Sequence, residues 1–93
     1  MSNSNSKKLN RNKKLLCEKL GQKIKPLRGK KGINLFAAEY DLSGTTLGQI
    51  ERGVSDPKFT TLWRIAEAHG VPLWKIVKEI QDNLPEEFSF IDK

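Results

Sequence analysis

Residues 42–71, LSGTTLGQIERGVSDPKFTTLWRIAEAHGV, decide the fold of this chain. Ser43 is a good helix N-cap, because its hydroxyl can accept a hydrogen bond from a backbone N–H two or three residues later. Gly53 and Gly70 stand where glycines end helices in a left-handed conformation. The stretch therefore predicts one helix that follows Ser43 and ends near Gly53, and a second helix that ends at Gly70.

The residues just before this stretch predict another short helix. Ile33, Phe36, Ala37 and Tyr40 follow the spacing i, i+3, i+4 and i+7 of one helix face. Asp41 then begins a turn, and aspartate is one of the few residues that tolerate a left-handed backbone. A small residue in the first helix and a tight turn before the second are typical of a helix-turn-helix.

Two amphipathic helices flank these three. The first begins near residue 12 and has an apolar stripe at steps of four, four and three: Leu16, Leu20, Ile24 and Leu27. Pro26 predicts a kink or an early end in it, because proline has no N–H to donate. The last begins at Pro72 and places four apolar residues on one face: Leu73, Ile76, Val77 and Ile80. The chain is thus predicted to be all-α, with five helices.

The charge is concentrated at one end of the 93 residues, whose net charge is +6. Residues 1–32 contain eleven basic side chains and one acidic side chain. This favours contact with a polyanion, of which nucleic acid is the commonest, although a solvated tail would have the same composition. We predict a disordered basic arm over residues 1–12, one domain over residues 13–83 and a C-terminal tail over residues 84–93.

Composition argues against several functional classes. No apolar run is long enough for a membrane span, and the first residues lack the apolar segment of a secretory signal. Cys17 and His69 are single residues of their types, so a disulfide or a zinc site within the chain is not expected. We find no nucleophile–base pair and no glycine-rich phosphate loop. The expectation is a cytoplasmic, non-enzymatic protein with no catalytic residues, metal, cofactor or evident small-molecule ligand.

Five features of the deciding stretch recur in one family, in order and at fixed spacing. They are Ile-Glu-Arg-Gly at 50–53, Pro57, Thr61-Leu62, Ile65-Ala66 and Gly70-Val71, within residues 42–71. On these features the chain resembles the Cro/C1 (Xre-type) helix-turn-helix family. The resemblance implies a lambda-repressor-like DNA-binding domain. It also implies a sequence-specific regulator of repressor type that binds double-stranded DNA at a palindromic operator as a homodimer.

The resemblance also implies a set of DNA-binding residues. The third helix is expected in the major groove with a solvent-facing set toward the base edges: Gly44, Thr45, Thr46, Gly48 and Gln49. Ser43, Arg52 and Lys58 match positions near phosphates, although Ser43 also serves as the cap. Glu51 is expected to brace the fold by accepting a hydrogen bond. The chain departs from the family at Ile33, where the family often has glutamine, and at Gly44, where it often has glutamine or arginine.

The remaining aromatic residues suggest how two copies pair. Trp74 lies off the apolar face of the fifth helix, so we expect it to be exposed and to contact a second copy together with Phe88, Phe90 and Ile91; the alternative is that the tail covers it. Trp63 is expected at the edge of the core and His69 to be buried or half-buried. A rival interpretation is an antitoxin-like interaction module that binds a partner protein, with DNA binding secondary.

Overall fold

A computed structural model describes residues 3–91, and side chains from residue 7 onward. Within this range there are helices and turns but no strand, which confirms the all-α prediction. The elements follow one another as α1 (Asn3–Ile24), a 3-10 turn (Lys25–Arg28), α2 (Ile33–Glu39), α3 (Gly44–Glu51), α4 (Phe59–His69) and α5 (Leu73–Asp82). Among the described residues no helix is both long and apolar enough to traverse a lipid bilayer.

Helix α1 is longer than the sequence suggested. Residues 3–12, predicted to be a disordered arm, form its first half, so the structure corrects that prediction; residues 1 and 2 lie outside the described range. Neither glycine nor proline occurs between residues 3 and 20, and lysine, arginine and leucine are good helix formers. Pro26 lies in the 3-10 turn that follows Ile24, so the expected early end of the helix is confirmed.

The core is a single cluster to which all five helices contribute. Its buried members are Leu20, Ile24, Phe36, Leu47, Ile50, Ile65, Ala66, Ile76 and Ile80. Burying a large aliphatic side chain stabilises a fold by about 1.5–3 kcal/mol, so this cluster dominates the packing energy. Leu27, the last residue of the stripe predicted for the first helix, is exposed because the 3-10 turn carries it away from the core.

Local turn chemistry agrees with the sequence. Gly53 and Gly70 have φ of +76° and +71°, as expected for glycines that end α3 and α4. Helix α4 begins at Phe59, directly after its N-cap Lys58, and Pro72 is the N-cap of α5 rather than its first residue. This shift of one residue at Pro72 leaves the predicted order of elements unchanged.

The tail after α5 lies against the first half of α1. The Asn12 side-chain Nδ2 donates to the Ser89 carbonyl oxygen at 2.5 Å, and the Lys8 ammonium donates to the Ile91 carbonyl oxygen at 3.5 Å. The described part of the tail and the N-terminal half of α1 therefore support each other.

Candidate nucleic-acid interface

The turn between α2 and α3 holds these two helices in close contact. The Leu42 N–H donates to the Ala37 carbonyl oxygen at 2.8 Å, and Asp41 has the left-handed φ of +55° that the reversal requires. A Cβ atom on Gly44 would lie 4.0 Å from the Ala37 Cβ, so a larger side chain at residue 37 would push α3 away. The Arg64 Nη2 donates to the Asp41 carbonyl oxygen at 2.6 Å, which ties the turn to α4.

Helix α3 has one buried face and one exposed face. Leu47 and Ile50 are at most 1% exposed and fix the orientation of the helix in the core. Thr45, Thr46 and Gln49 are exposed, as predicted. The short helix therefore presents a polar surface from a rigidly held backbone.

Gly48 is the exception within the predicted solvent-facing set. It is buried, so the expectation that it faces solvent is wrong. A Cβ atom on Gly48 would lie 3.6 Å from the Ile33 Cδ1 and 3.2 Å from the Arg52 Nη1. The first residue of α2 and the guanidinium of Arg52 thus cover this part of α3. The contact with Ile33 joins two helices, and sequence spacing cannot show it.

The predicted phosphate-contacting residues surround the two ends of α3. The Ser43 Oγ accepts a hydrogen bond from the Thr46 N–H at 3.2 Å, which confirms the predicted N-cap. Arg52 is the C-cap of α3, Lys58 is the N-cap of α4, and both are exposed. Ser43 and the exposed residues of α3 thus lie on one short segment, with the cationic Arg52 at its C-terminal end.

A buried ion pair anchors the C-terminal end of α3. The Glu51 carboxylate accepts from the Arg28 Nε at 2.7 Å and from the Arg28 Nη2 at 2.8 Å. Only 4% of the Glu51 side chain and 15% of the Arg28 side chain are exposed. The paired carboxylate raises the pKa of Arg28 above its ordinary value, chiefly through the hydrogen bond. The expectation that Glu51 braces the fold is confirmed.

Comparisons with known proteins agree with this geometry. A family model described as helix-turn-helix matches residues 24–73, more than half of the chain. The chain belongs to the Cro/C1-type helix-turn-helix family. It is also similar to the HTH-type transcriptional regulator SutR of Escherichia coli (strain K12), with 35% identity over 76 residues that cover 80% of this chain and 43% of that regulator. No solved structure matches the chain.

Two residues of this helix-turn-helix domain escaped the sequence analysis. Asn34, the second residue of α2, is exposed and its Oδ1 lies 2.9 Å from the position that a Cβ on Gly44 would occupy. Arg64 lines a small surface depression together with Ser43 and Thr46. Both are polar groups beside the first turn of α3 that come from other helices. Asn34 lies at the start of a predicted helix, which was a weak signal, whereas nothing in the sequence singled out Arg64 in the middle of α4.

His69, the last residue of α4, is half-buried, as predicted. Its ring stacks on Phe36 with centroids 4.4 Å apart and an interplanar angle of 18°. Its buried Nε2 has no hydrogen-bond partner among the described residues. Burial lowers the pKa of His69 below its ordinary value, so the neutral ring is the form that the folded domain favours.

The exposed aromatic residues of the domain lie on α4 and α5. Trp74 is 67% exposed, as expected, but Trp63 is 51% exposed, so the prediction that it packs at the edge of the core is wrong. Both line a groove of about 480 Å³ with Leu73 and Val77. The ring of Phe59 packs edge-on against Trp63 at 5.8 Å and extends this apolar surface.

The other three residues predicted at the dimer interface belong to the tail. Phe88 is half-buried and packs edge-on against Phe90 at 5.5 Å. Phe90 and Ile91 remain exposed, at 41% and 69%. The structure therefore divides the predicted interface into an aromatic groove around Trp74 and a tail held against α1.

Proposed function

We propose that this chain is a repressor-like transcription regulator that binds double-stranded DNA in a sequence-specific manner through α3. The observation that carries the proposal is the exposure of Thr45, Thr46 and Gln49 on a helix whose opposite face is fixed in the core. In helix-turn-helix proteins the second helix lies in the major groove with its N-terminal residues on base edges. The regulator SutR, which is similar to this chain over 80% of the chain's length, is named as a transcriptional regulator of helix-turn-helix type.

The exposed residues suit distinct contacts. The Gln49 amide can form a bidentate pair with adenine, and the threonine methyl groups can pack against a thymine methyl. Gly44 offers only its backbone at the first turn. Ser43, Arg52 and Lys58 are assigned to phosphates, contacts that position the protein without reading sequence.

Helix α1 offers a second cationic surface. Lys7, Arg11 and Lys14 recur at i, i+4 and i+7 and are all exposed, so they form a stripe on one face of the helix. Lys13, on a neighbouring face, lies 3.7 Å from the Asp56 carboxylate, which places this half of α1 beside the loop between Arg52 and Lys58. We assign the stripe to non-specific attraction for DNA phosphates.

The variants Gln49→Ala and Arg52→Gln separate base reading from phosphate contact. Gln49→Ala is expected to weaken binding to the selected operator by about 1–3 kcal/mol and to relax preference at one base pair. Arg52→Gln is expected to retain the preference and to reduce the slope of log K against log salt by about 0.9. Binding-site selection and salt titration of each purified variant measure the two effects.

Unfolding curves of the two variants control for damage to the fold, because both side chains are exposed. An unchanged base preference in Gln49→Ala would remove that residue from the reading surface. Failure of the wild type to prefer any sequence would contradict the proposed function as a whole.

A homodimer on a palindromic operator completes the proposal. One eight-residue helix contacts too few base pairs to specify a single promoter. Two copies related by a two-fold axis place their reading helices about 34–36 Å apart, one turn of DNA. The exposed groove beside Trp74 is lined by residues of α4, α5 and the turn between them, and by none of α3. An isologous contact there would let the Trp74 of each copy enter the groove of the other.

The dimer is tested by sedimentation of wild type and of Trp74→Ala. A buried tryptophan at the centre of an interface commonly accounts for 2 kcal/mol or more, so the dissociation constant is expected to rise by about 30-fold. Lys75→Ala, an exposed neighbour on α5, is the matched control and should dimerise normally. A second variant, Phe90→Ser with Ile91→Ser, measures the contribution of the tail.

A wild-type protein that stays monomeric well above micromolar concentration would refute the dimer. So would a Trp74→Ala variant that dimerises as tightly as its parent.

A protein-interaction module, such as an antitoxin-like chain, is the second candidate. The exposed groove of Trp63, Trp74 and Val77 favours it, because exposed apolar patches mark interaction sites. Salt separates the two functions: binding through several phosphate contacts weakens steeply with salt, whereas binding through an aromatic groove does not.

A further inference from the structure

The start of α2 lies directly against the start of α3. The Asn34 Oδ1 lies 2.9 Å from the point where a Cβ on Gly44 would be, closer than a side chain at that position allows. The Asn34 amide therefore occupies space that any residue other than glycine at position 44 would fill. Gly44 is the first residue of α3, so this amide lies at the first turn of the reading helix although it belongs to another helix.

We infer that Asn34 is a further specificity-determining residue, whose side-chain amide contacts an adenine base edge in each half-site. The inference rests on the proposed DNA binding by α3. Gly44 has no side chain with which to read a base, and the exposed amide beside it has one donor and one acceptor group. Those groups match the N6 and N7 positions of adenine in the major groove.

The close approach of α2 continues one turn further along α3. The Ile33 Cδ1 lies 3.6 Å from the position that a Cβ on Gly48 would occupy. The first two residues of α2 therefore lie against the two glycines of α3. This contact fixes the α2 backbone relative to the reading helix. Asn34 is thereby held in register with Thr45 and Gln49 rather than moving independently of them.

A base contact by Asn34 predicts how the selected operator changes. Asn34→Ala is expected to bind the wild-type operator about 10-fold more weakly, within the range for one bidentate base contact, and to lose preference at one symmetric position per half-site. Gly44→Ala introduces a Cβ that must displace the amide, and only the flexible end of a side chain has to move. It is therefore expected to fold and to lose the same preference, and the double variant should be no worse than either single one.

Binding-site selection with randomised duplex DNA, followed by titration against the wild-type operator, tests the inference. Gln22→Ala removes another exposed amide, on α1, and should bind with wild-type preference and affinity. If wild type selects a sequence but Asn34→Ala selects the same one, Asn34 does not read a base and the proposed function stands. A uniform loss of affinity without a change in preference also overturns the inference. If wild type selects nothing, the proposed function fails as well.

Discussion

Glu51→Ala is expected to lower the free energy of unfolding by about 3–5 kcal/mol, the usual cost of leaving one member of a buried ion pair without its partner. Arg28 donates to both carboxylate oxygens and is itself largely buried. Removing the carboxylate leaves the guanidinium with only the Lys31 carbonyl oxygen as acceptor among its contacts in the described residues. Urea denaturation at constant pH measures the loss.

Two further variants show whether the loss comes from the unpaired charge. Arg28→Met combined with Glu51→Leu removes both charges and should recover a large part of the stability, because apolar replacement of a whole buried pair is often neutral or stabilising. Lys78→Gln breaks the exposed pair between Lys78 and Asp82 and should leave the urea midpoint unchanged. A Glu51→Ala variant as stable as wild type would show that the ion pair does not brace α3.

The same pair links stability to DNA binding. Glu51 is the last residue of α3 and Arg28 lies in the 3-10 turn after α1. The bond between them therefore fixes the reading helix relative to the rest of the domain. In conditions where Glu51→Ala still folds, its affinity for operator should fall although neither residue is assigned to DNA.

The sequence predicted the features of this fold that depend on local backbone chemistry. The cap at Ser43, the left-handed Asp41 and the glycines at 53 and 70 are each decided by a few neighbouring residues, and each was found where expected. The exposure of Thr45, Thr46 and Gln49 on α3 was implied by the resemblance to the helix-turn-helix family, and the structure agrees with it. Their roles at DNA stay predictions.

Contacts between distant segments were beyond the reach of such patterns. Gly48 was placed among the exposed residues of α3, but Ile33 from α2 covers it. Trp63 is hydrophobic enough to be buried in a core, but the surrounding helices leave about half of the residue exposed to solvent. Residues 3–12 are polar, so their composition offers no reason to place them in a packed element. They nevertheless form part of a continuous helix, because polarity alone does not decide whether a helix forms.

The close packing of α1 against α3 leads to the second large stability effect, at Gly21. A Cβ on this residue would lie 2.5 Å from the Glu51 carbonyl oxygen and 2.6 Å from the Ile50 carbonyl oxygen. Both are backbone atoms of α3, so no side chain can rotate to make room. The chain meets α1 again just beyond α3, where a Cβ on Gly53 would lie 2.7 Å from the Glu18 Cα.

Two opposing effects decide the result of Gly21→Ala. Inside a helix, alanine is favoured over glycine by about 1 kcal/mol, which alone would stabilise α1. Overpacking costs about 1–3 kcal/mol and sometimes more, and here it separates two helices that share the core residues Leu20 and Ile50. We expect overpacking to win, with a net loss of about 2 kcal/mol, measured as a lower urea midpoint.

Gly32→Ala is the matched control for this experiment. A Cβ on Gly32 meets nothing within 4 Å, and its φ of −64° is ordinary for alanine. Its effect on stability should be within about 0.5 kcal/mol, as for most surface substitutions. If Gly21→Ala instead proves more stable than wild type, helix propensity outweighs packing at this crossing. The distance between α1 and α3 would then be set by the Arg28–Glu51 pair and the apolar core rather than by the absence of a side chain at residue 21.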